Sequence, residues 1–144
     1  MDLNEQMKVV LATTFSFYLK NHFFHWNVEG PNFPQFHEFF KMLYEDAWGA
    51  VDDIAEHIRV LDAYAPGSYE RFKQLTKIDD ELSIPQPMGM ITKTMEDNNK
   101  LIDELKIAQD LATKENMVGL ANFLQERVDI HSKWGWQLKA IAKV

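Results

Sequence analysis

Residues 34–64, PQFHEFFKMLYEDAWGAVDDIAEHIRVLDAY, set apolar side chains at Phe36, Phe40, Leu43, Ala47, Val51, Ile54, Ile58 and Leu61. Steps of three and four follow one stripe of a helix with about 3.6 residues per turn, so the spacing predicts a helix from about Pro34 to Tyr64. Pro34 suits its first turn, where a missing N–H is not required. Upstream, Gly30-Pro31-Asn32-Phe33-Pro34 interrupts the pattern, and before it Leu11, Phe15, Tyr18 and Leu19 recur at helical spacing in a first helix running from Leu3 to about Val28. Downstream, Ala65-Pro66-Gly67-Ser68 ends the second helix. Residues 68–86 read as a loop with one short helix around Tyr69 to Leu75, which Ser68 caps and Pro85-Gln86-Pro87 closes.

A third helix is expected from about Met88 to Ala112, with Ile91, Met95, Ile102, Leu105 and Leu111 facing inward. A fourth follows from about Lys114 to Ala142, carrying Met117, Leu120, Leu124, Val128 and Leu138. Four helices of about 25 residues, each roughly 38 Å long, with one long connection predict an all-α fold. It is an antiparallel four-helix bundle of ferritin-like topology, in which residues 1–144 form one domain and the crossover holds the short helix.

Composition narrows the chemistry. The chain has no Cys, so a disulfide scaffold, a Cys-ligated zinc or iron–sulfur centre and thiol catalysis are all excluded. A metal would have to sit on His, Asp or Glu. Fifteen Lys+Arg against 22 Asp+Glu leave a net charge of −7, which disfavours a surface-wide nucleic-acid footprint. The opening Met1-Asp2-Leu3-Asn4-Glu5-Gln6 lacks the charge and apolar run of a secretory signal. No run approaches the roughly 18 apolar residues of a membrane span, so the expected compartment is the cytoplasm and no membrane partner is expected.

A metal site inside a helical bundle is commonly built from Glu-x-x-His on two helices. No glutamate of this chain has histidine three places on. Candidate ligands gather instead in the first two helices: His22, His25, His37, Asp52, Asp53, Glu56 and His57. Asp52 and Glu56 share one helical face, and so do Asp53 and His57, so either pair suits chelation from one turn. His37 and Asp52 lie fifteen residues apart on one helix, roughly 22 Å by the helical rise, and cannot hold one ion within one chain. Two copies of this helix, antiparallel about a two-fold axis near residues 45–46, would set His37 of one chain opposite Asp52 and Glu56 of the other. Such an interface makes two equivalent sites, each completed by His25. Neutral imidazole with carboxylate oxygens suits Fe(II), and also zinc as a competing occupant.

The run His25-Trp26-Asn27-Val28-Glu29-Gly30-Pro31-Asn32-Phe33, then His37, then Asp52-Asp53-Ile54-Ala55-Glu56, closely resembles the Dps family, the mini-ferritin DNA-binding proteins from starved cells. The distinctive stretch covers about residues 25–57, and the four-helix pattern agrees over nearly the whole chain. The resemblance implies a hollow dodecamer with ferroxidase centres at its two-fold interfaces. Fe(II) would be oxidised there by hydrogen peroxide or, more slowly, by dioxygen, and ferric mineral stored inside. It assigns His25 and His37 to one subunit and Asp52 and Glu56 to its partner as metal and catalytic residues. One position departs: the family has an aspartate four residues after the second histidine, where this chain has Lys41. An ammonium there repels a second cation, so a weakened second metal position is expected.

Blander roles compete for several of these residues. His22 reads as a core or interface histidine, Asp53 and His57 as a surface pair, and His131 as buried or in a subunit contact. Asp52 and Glu56 on a solvated face near Arg59 would be ordinary surface acids. Trp26, Trp48, Trp134 and Trp136 are anchors for core or interface, and the first two stand close enough in sequence to the site to scavenge an oxidising equivalent. The alternative function is a DNA-associated or structural cage with an attenuated centre. Lysine-rich tails serve DNA binding in the family, whereas Asp2 and Glu5 precede Lys8 here.

Overall fold

In the computed structural model, which describes residues 1–143, five helices form the all-α architecture. They are α1 (Leu3–Asn27), α2 (Phe33–Val60), α3 (Tyr69–Leu75), α4 (Pro87–Lys114) and α5 (Val118–Ala142). The Asp2 carboxylate caps α1 by accepting from the Glu5 N–H at 2.8 Å, and the Ser68 hydroxyl caps α3 by accepting from the Arg71 N–H at 3.2 Å. Pro34 and Pro87 occupy the first turns of α2 and α4.

Pairing of the helices follows from their connections. Short turns fold α2 back on α1 and α5 back on α4, and α1 packs on α4 between the two pairs. The crossover climbs alongside α1. Arg71 lies against Glu5, the Lys77 N–H donates to Thr13 Oγ1, and Lys20 Nζ donates to the Asp79 carbonyl. From there α4 descends antiparallel to α1, pairing Asn21 with Thr94, Lys20 with Asp97, and Gln6 with Glu104. The result is the ferritin-like four-helix bundle with a short crossover helix.

Two helix ends differ from the periodicity. Helix α2 stops at Val60 because Asp62 turns left-handed (φ 63°), with the Ala63 N–H bonded to the Ile58 carbonyl and the Asp62 N–H to that of Arg59. This six-to-one, five-to-two pattern is a Schellman stop. Asn116 (φ 57°) makes the same stop after α4, so α4 reaches Lys114 and α5 starts only at Val118. Along α1 the core is filled by Leu3, Met7, Val10, Leu11, Phe17 and Phe24. Phe15 and Tyr18 are half-buried and Leu19 is exposed, because α3 covers that side only in part.

Inside the bundle one polar network joins three helices. Arg127 on α5 grips Asp46 on α2 with two bonds, of 3.0 and 2.9 Å, and Trp134 Nε1 donates to the same carboxylate at 3.1 Å. A guanidinium only donates, so His131 Nε2, 3.1 Å from Arg127 Nη2, is the acceptor and the ring proton sits on Nδ1. That Nδ1–H donates to Asn98 Oδ1 on α4 at 2.8 Å, and Asn98 Nδ2 returns a bond to the His131 carbonyl at 2.9 Å. Among the described residues no buried side-chain nitrogen or oxygen lacks a partner. Burial, then the Arg127 charge, pushes the His131 imidazole down to about 3. Burial raises the Asp46 carboxyl, but its bonds to Arg127, the Arg127 charge and the Trp134 bond outweigh this and hold it below its usual value.

Two measurements probe this network. An unfolded His131 takes up a proton near pH 6.5 and the folded one only near about 3, so its contribution is complete above pH 6.5 and lost as pH falls through that window. Denaturant midpoints should drop on acidification over that range, with a shallower drop in His131→Asn; Asp46 adds a loss only below its ordinary carboxylate range. A Cβ at Gly135 would lie 3.2 Å from Asn98 Nδ2, which is already bonded. Alanine gains about 1 kcal/mol over glycine inside a helix, and this crowding opposes it, so Gly135→Ala should fail to raise the midpoint in the same unfolding experiment.

Candidate metal centre

The turn between α1 and α2 builds the first half of the centre. Gly30 adopts φ 118°, a conformation open to glycine, and the Phe33 N–H closes the turn on its carbonyl at 3.0 Å. His25 in the last turn of α1 thereby meets His37 near the start of α2. Their rings stack at 3.8 Å, 16° from parallel, and Phe33 stacks on the far side of His37 at 4.8 Å. Each Nδ1 donates to the other residue's backbone carbonyl, both at 2.7 Å. A carbonyl only accepts, so both Nδ1 atoms carry the proton and both Nε2 atoms keep a free lone pair. Among the described residues neither Nε2 has a hydrogen-bond partner, which leaves two preset nitrogen ligands side by side.

The second half lies further along α2. Asp52, Asp53 and Glu56 are exposed, and one carboxylate oxygen from each falls within 4.8 Å of the others. The Glu56 carboxyl is raised above its usual value, first by a hydrogen bond with Asp52 and then by the Asp52 charge. Two acids one turn apart repel each other, and a cation between them would serve both. Arg59, the cation nearest in sequence, is engaged elsewhere: its Nη1 donates to the Ala63 carbonyl at 3.1 Å and its guanidinium lies 4.8 Å from the Tyr64 ring centroid. Among the described residues no salt bridge reaches these three acids.

Within one chain the halves stay apart. Helix α2 runs unbroken through both, and the fifteen residues from His37 to Asp52 span roughly 22 Å. Lys41, one turn after His37, extends toward Glu45, with Nζ 3.9 Å from Oε1 and both side chains well exposed. His57 packs against Phe123 at 4.7 Å instead of pairing with Asp53. His131 belongs to the interior network, and both Asp46 oxygens and both His131 ring nitrogens are already bonded there.

Sequence reasoning flagged Trp26 near the site but missed Tyr18 and Tyr44 around the histidines. Tyr44 stacks on His22 at 3.8 Å and meets the His25 ring edge at 5.2 Å, while Trp26 covers the His22 ring at 4.0 Å. Tyr18 Oη lies 2.9 Å from His22 Nδ1. Burial, then the nearby His25, lowers the His22 imidazole; burial, then Tyr44, raises the Tyr18 phenol. Tyr18 and His22 stand four residues apart on one helix, a spacing that flags the pair. Tyr44 comes from α2 and carries no such signal.

The family model for a ferritin-like domain matches residues 3–144. A DNA protection during starvation protein of Brevibacillus brevis is 31% identical over 85% of this chain and 83% of its own length. A low temperature-induced protein of Nostoc is also 31% identical, over 90% of this chain and 74% of its own. The crystal structure of a Dps protein from Bacillus brevis superposes with a TM-score of 0.94 at 28% identity, covering 98% of this chain and 95% of that one. Antigen TpF1 from Treponema pallidum superposes at 0.95 and 26% identity, over 99% and 92%. No helix among the described residues is long and apolar enough to cross a membrane.

The Asp52–Glu56 coupling is open to direct measurement. Carbon-detected NMR titration should show the Glu56 carboxyl of Asp52→Asn falling toward its ordinary value of 4.5, since the neighbouring charge that raises it is gone.

Proposed function

This chain belongs to the Dps family of ferritin-like proteins, and from that premise we propose that it oxidises Fe(II) with hydrogen peroxide, or more slowly dioxygen, and stores the ferric product. The observation that carries this reading is a pair of complementary, incomplete half-sites spaced along α2, the first including His25 from the end of α1. His25 and His37 offer nitrogen lone pairs without carboxylates; Asp52 and Glu56 offer carboxylates without a cation. Antiparallel packing of two α2 helices about a two-fold axis joins one half from each chain, twice per dimer. Six such dimers make the dodecameric cage of this reading.

Iron enters as substrate. The Nε2 atoms of His25 and His37 bind it as neutral donors, held in orientation by their Nδ1–H bonds to backbone carbonyls. Asp52 and Glu56 of the partner supply hard oxygens, and a cation there relieves the repulsion that raises the Glu56 carboxyl. This donor set also admits zinc as a competitor. Consuming ferrous iron together with peroxide removes the two reactants that yield hydroxyl radical, which fits the protective names of the relatives. Lys41 weakens a second metal position beside His37. A net charge of −7 makes direct DNA compaction the secondary reading.

Two experiments test the proposal. Anaerobic Fe(II) titration followed by a peroxide pulse should give ferric absorbance from one tight iron per centre in the natural protein and from a second in Lys41→Asp. Two tight irons in the natural protein would sink the lysine argument, and no oxidation in either would leave the cage reading. Separately, His37→Ala and Asp52→Asn should each be inactive alone. When they are unfolded together and reassembled, about a quarter of the sites regain both halves by random pairing, and activity should return in that proportion. A centre built within one chain would stay inactive in the mixture.

A further inference from the structure

Beside the two histidines lies a second hydrogen-bonded pair that iron binding does not use. Tyr18 and His22 are four residues apart on α1, with Oη 2.9 Å from Nδ1. The hydroxyl has no other partner among the described residues, and in the Nε2–H tautomer of His22 it donates to Nδ1. His22 stacks on Tyr44 at 3.8 Å and lies against the tilted ring of Trp26 at 4.0 Å. Ring neighbours then run from His25 to Tyr44 at 5.2 Å, to Tyr18 at 6.1 Å and to Trp48 at 4.9 Å.

Removing one electron from a phenol turns it into a strong acid, so in a half-buried setting the electron leaves readily only if the proton leaves with it. Tyr18 has a base in hydrogen-bond contact. Tyr44, Trp26 and Trp48 have no hydrogen-bonded acceptor among the described residues. An imidazole with a free nitrogen is the ordinary side chain for taking such a proton near neutral pH.

We propose that Tyr18 is a proton-coupled electron donor to the oxidant at the neighbouring His25–His37 site, with His22 Nδ1 receiving its phenolic proton. The proposal rests on the ferroxidase reading and explains how a centre with one tight iron meets a two-electron oxidant. Hydrogen peroxide needs two electrons and two protons to become two waters. Fe(II) gives one electron and becomes Fe(III); Tyr18 gives the other and becomes a neutral phenoxyl radical. The phenolic proton ends on His22, solvent supplies the two protons for water, and no hydroxyl radical is released.

The test has two arms. In iron-free protein carrying Tyr64→Phe and Tyr69→Phe, which removes the two exposed tyrosines, a photogenerated ruthenium(III) tris-bipyridine oxidant should produce a tyrosyl radical by electron paramagnetic resonance. That signal should vanish in Tyr18→Phe and form roughly tenfold or more slowly in His22→Phe, which keeps a ring beside Tyr44 and Trp26 but removes the base. In the second arm, Fe(II) at one per centre followed by equimolar peroxide should give the same radical, and Tyr18→Phe should release more hydroxyl radical to a spin trap. A radical unchanged in Tyr18→Phe overturns the proposal, as does rapid iron oxidation with no Tyr18 radical. If peroxide fails to oxidise the iron, the ferroxidase reading falls, while the iron-free arm still decides whether Tyr18 and His22 act as a pair.

Discussion

A straight helix holds points fifteen residues apart at roughly 22 Å, and the chemistry of this chain is organised by that fact. Phe40, Leu43, Ala47, Ile54 and Ile58 bury one side of α2 against the bundle and keep it unbroken from Phe33 to Val60. The candidate ligands His37, Asp52 and Glu56 on its outer side cannot collapse onto one another. The imidazoles therefore keep their Nε2 lone pairs free, and the acids keep their mutual repulsion, because the rod that carries both holds them apart. Groups left unsatisfied on an otherwise consistent structure are where function is to be sought.

The interior obeys the opposite rule. Asp46 sits on the same helix as Asp52 and Glu56, yet its charge is met by a two-pronged guanidinium and an indole N–H, and the neutral His131 completes the chain of bonds to α4. Burying an unpaired carboxylate would be costly, so every polar group there has a partner. The cations near α2 are committed: Arg127 to Asp46, and Arg59 to the Ala63 carbonyl and the Tyr64 ring. What remains on the outer face is an acidic cluster with no internal cation. That asymmetry separates a structural network from a candidate binding surface on a single helix.

Much of this was legible in residue order, and the exceptions have physical causes. Apolar spacing located the four long helices, Ser68 marked the short one by a cap that the structure repeats, and Pro34 falls in the first turn of α2 as expected. The ends of α2 and α4 were misread by a few residues because Asp62 and Asn116, not glycine, take the left-handed stop. On α1 periodicity favoured Phe15, Tyr18 and Leu19, but a helix packed against three others has no single buried stripe, and that side received only partial cover from α3.

By itself the sequence determined the bundle, the absence of thiol chemistry, and the identity and separation of His25, His37, Asp52 and Glu56, because periodicity and the fixed rise of a helix are local properties. Only tertiary structure decided the protonation of the two histidines, since each is set by a carbonyl twelve residues away across a turn. The same holds for the commitment of Arg127 to Asp46, 81 residues apart, and for the aromatic setting of Tyr18 and His22, which depends on Tyr44 from another helix. Hydrogen-bond direction and ring stacking depend on where distant segments meet in space, and one-dimensional spacing carries no record of that.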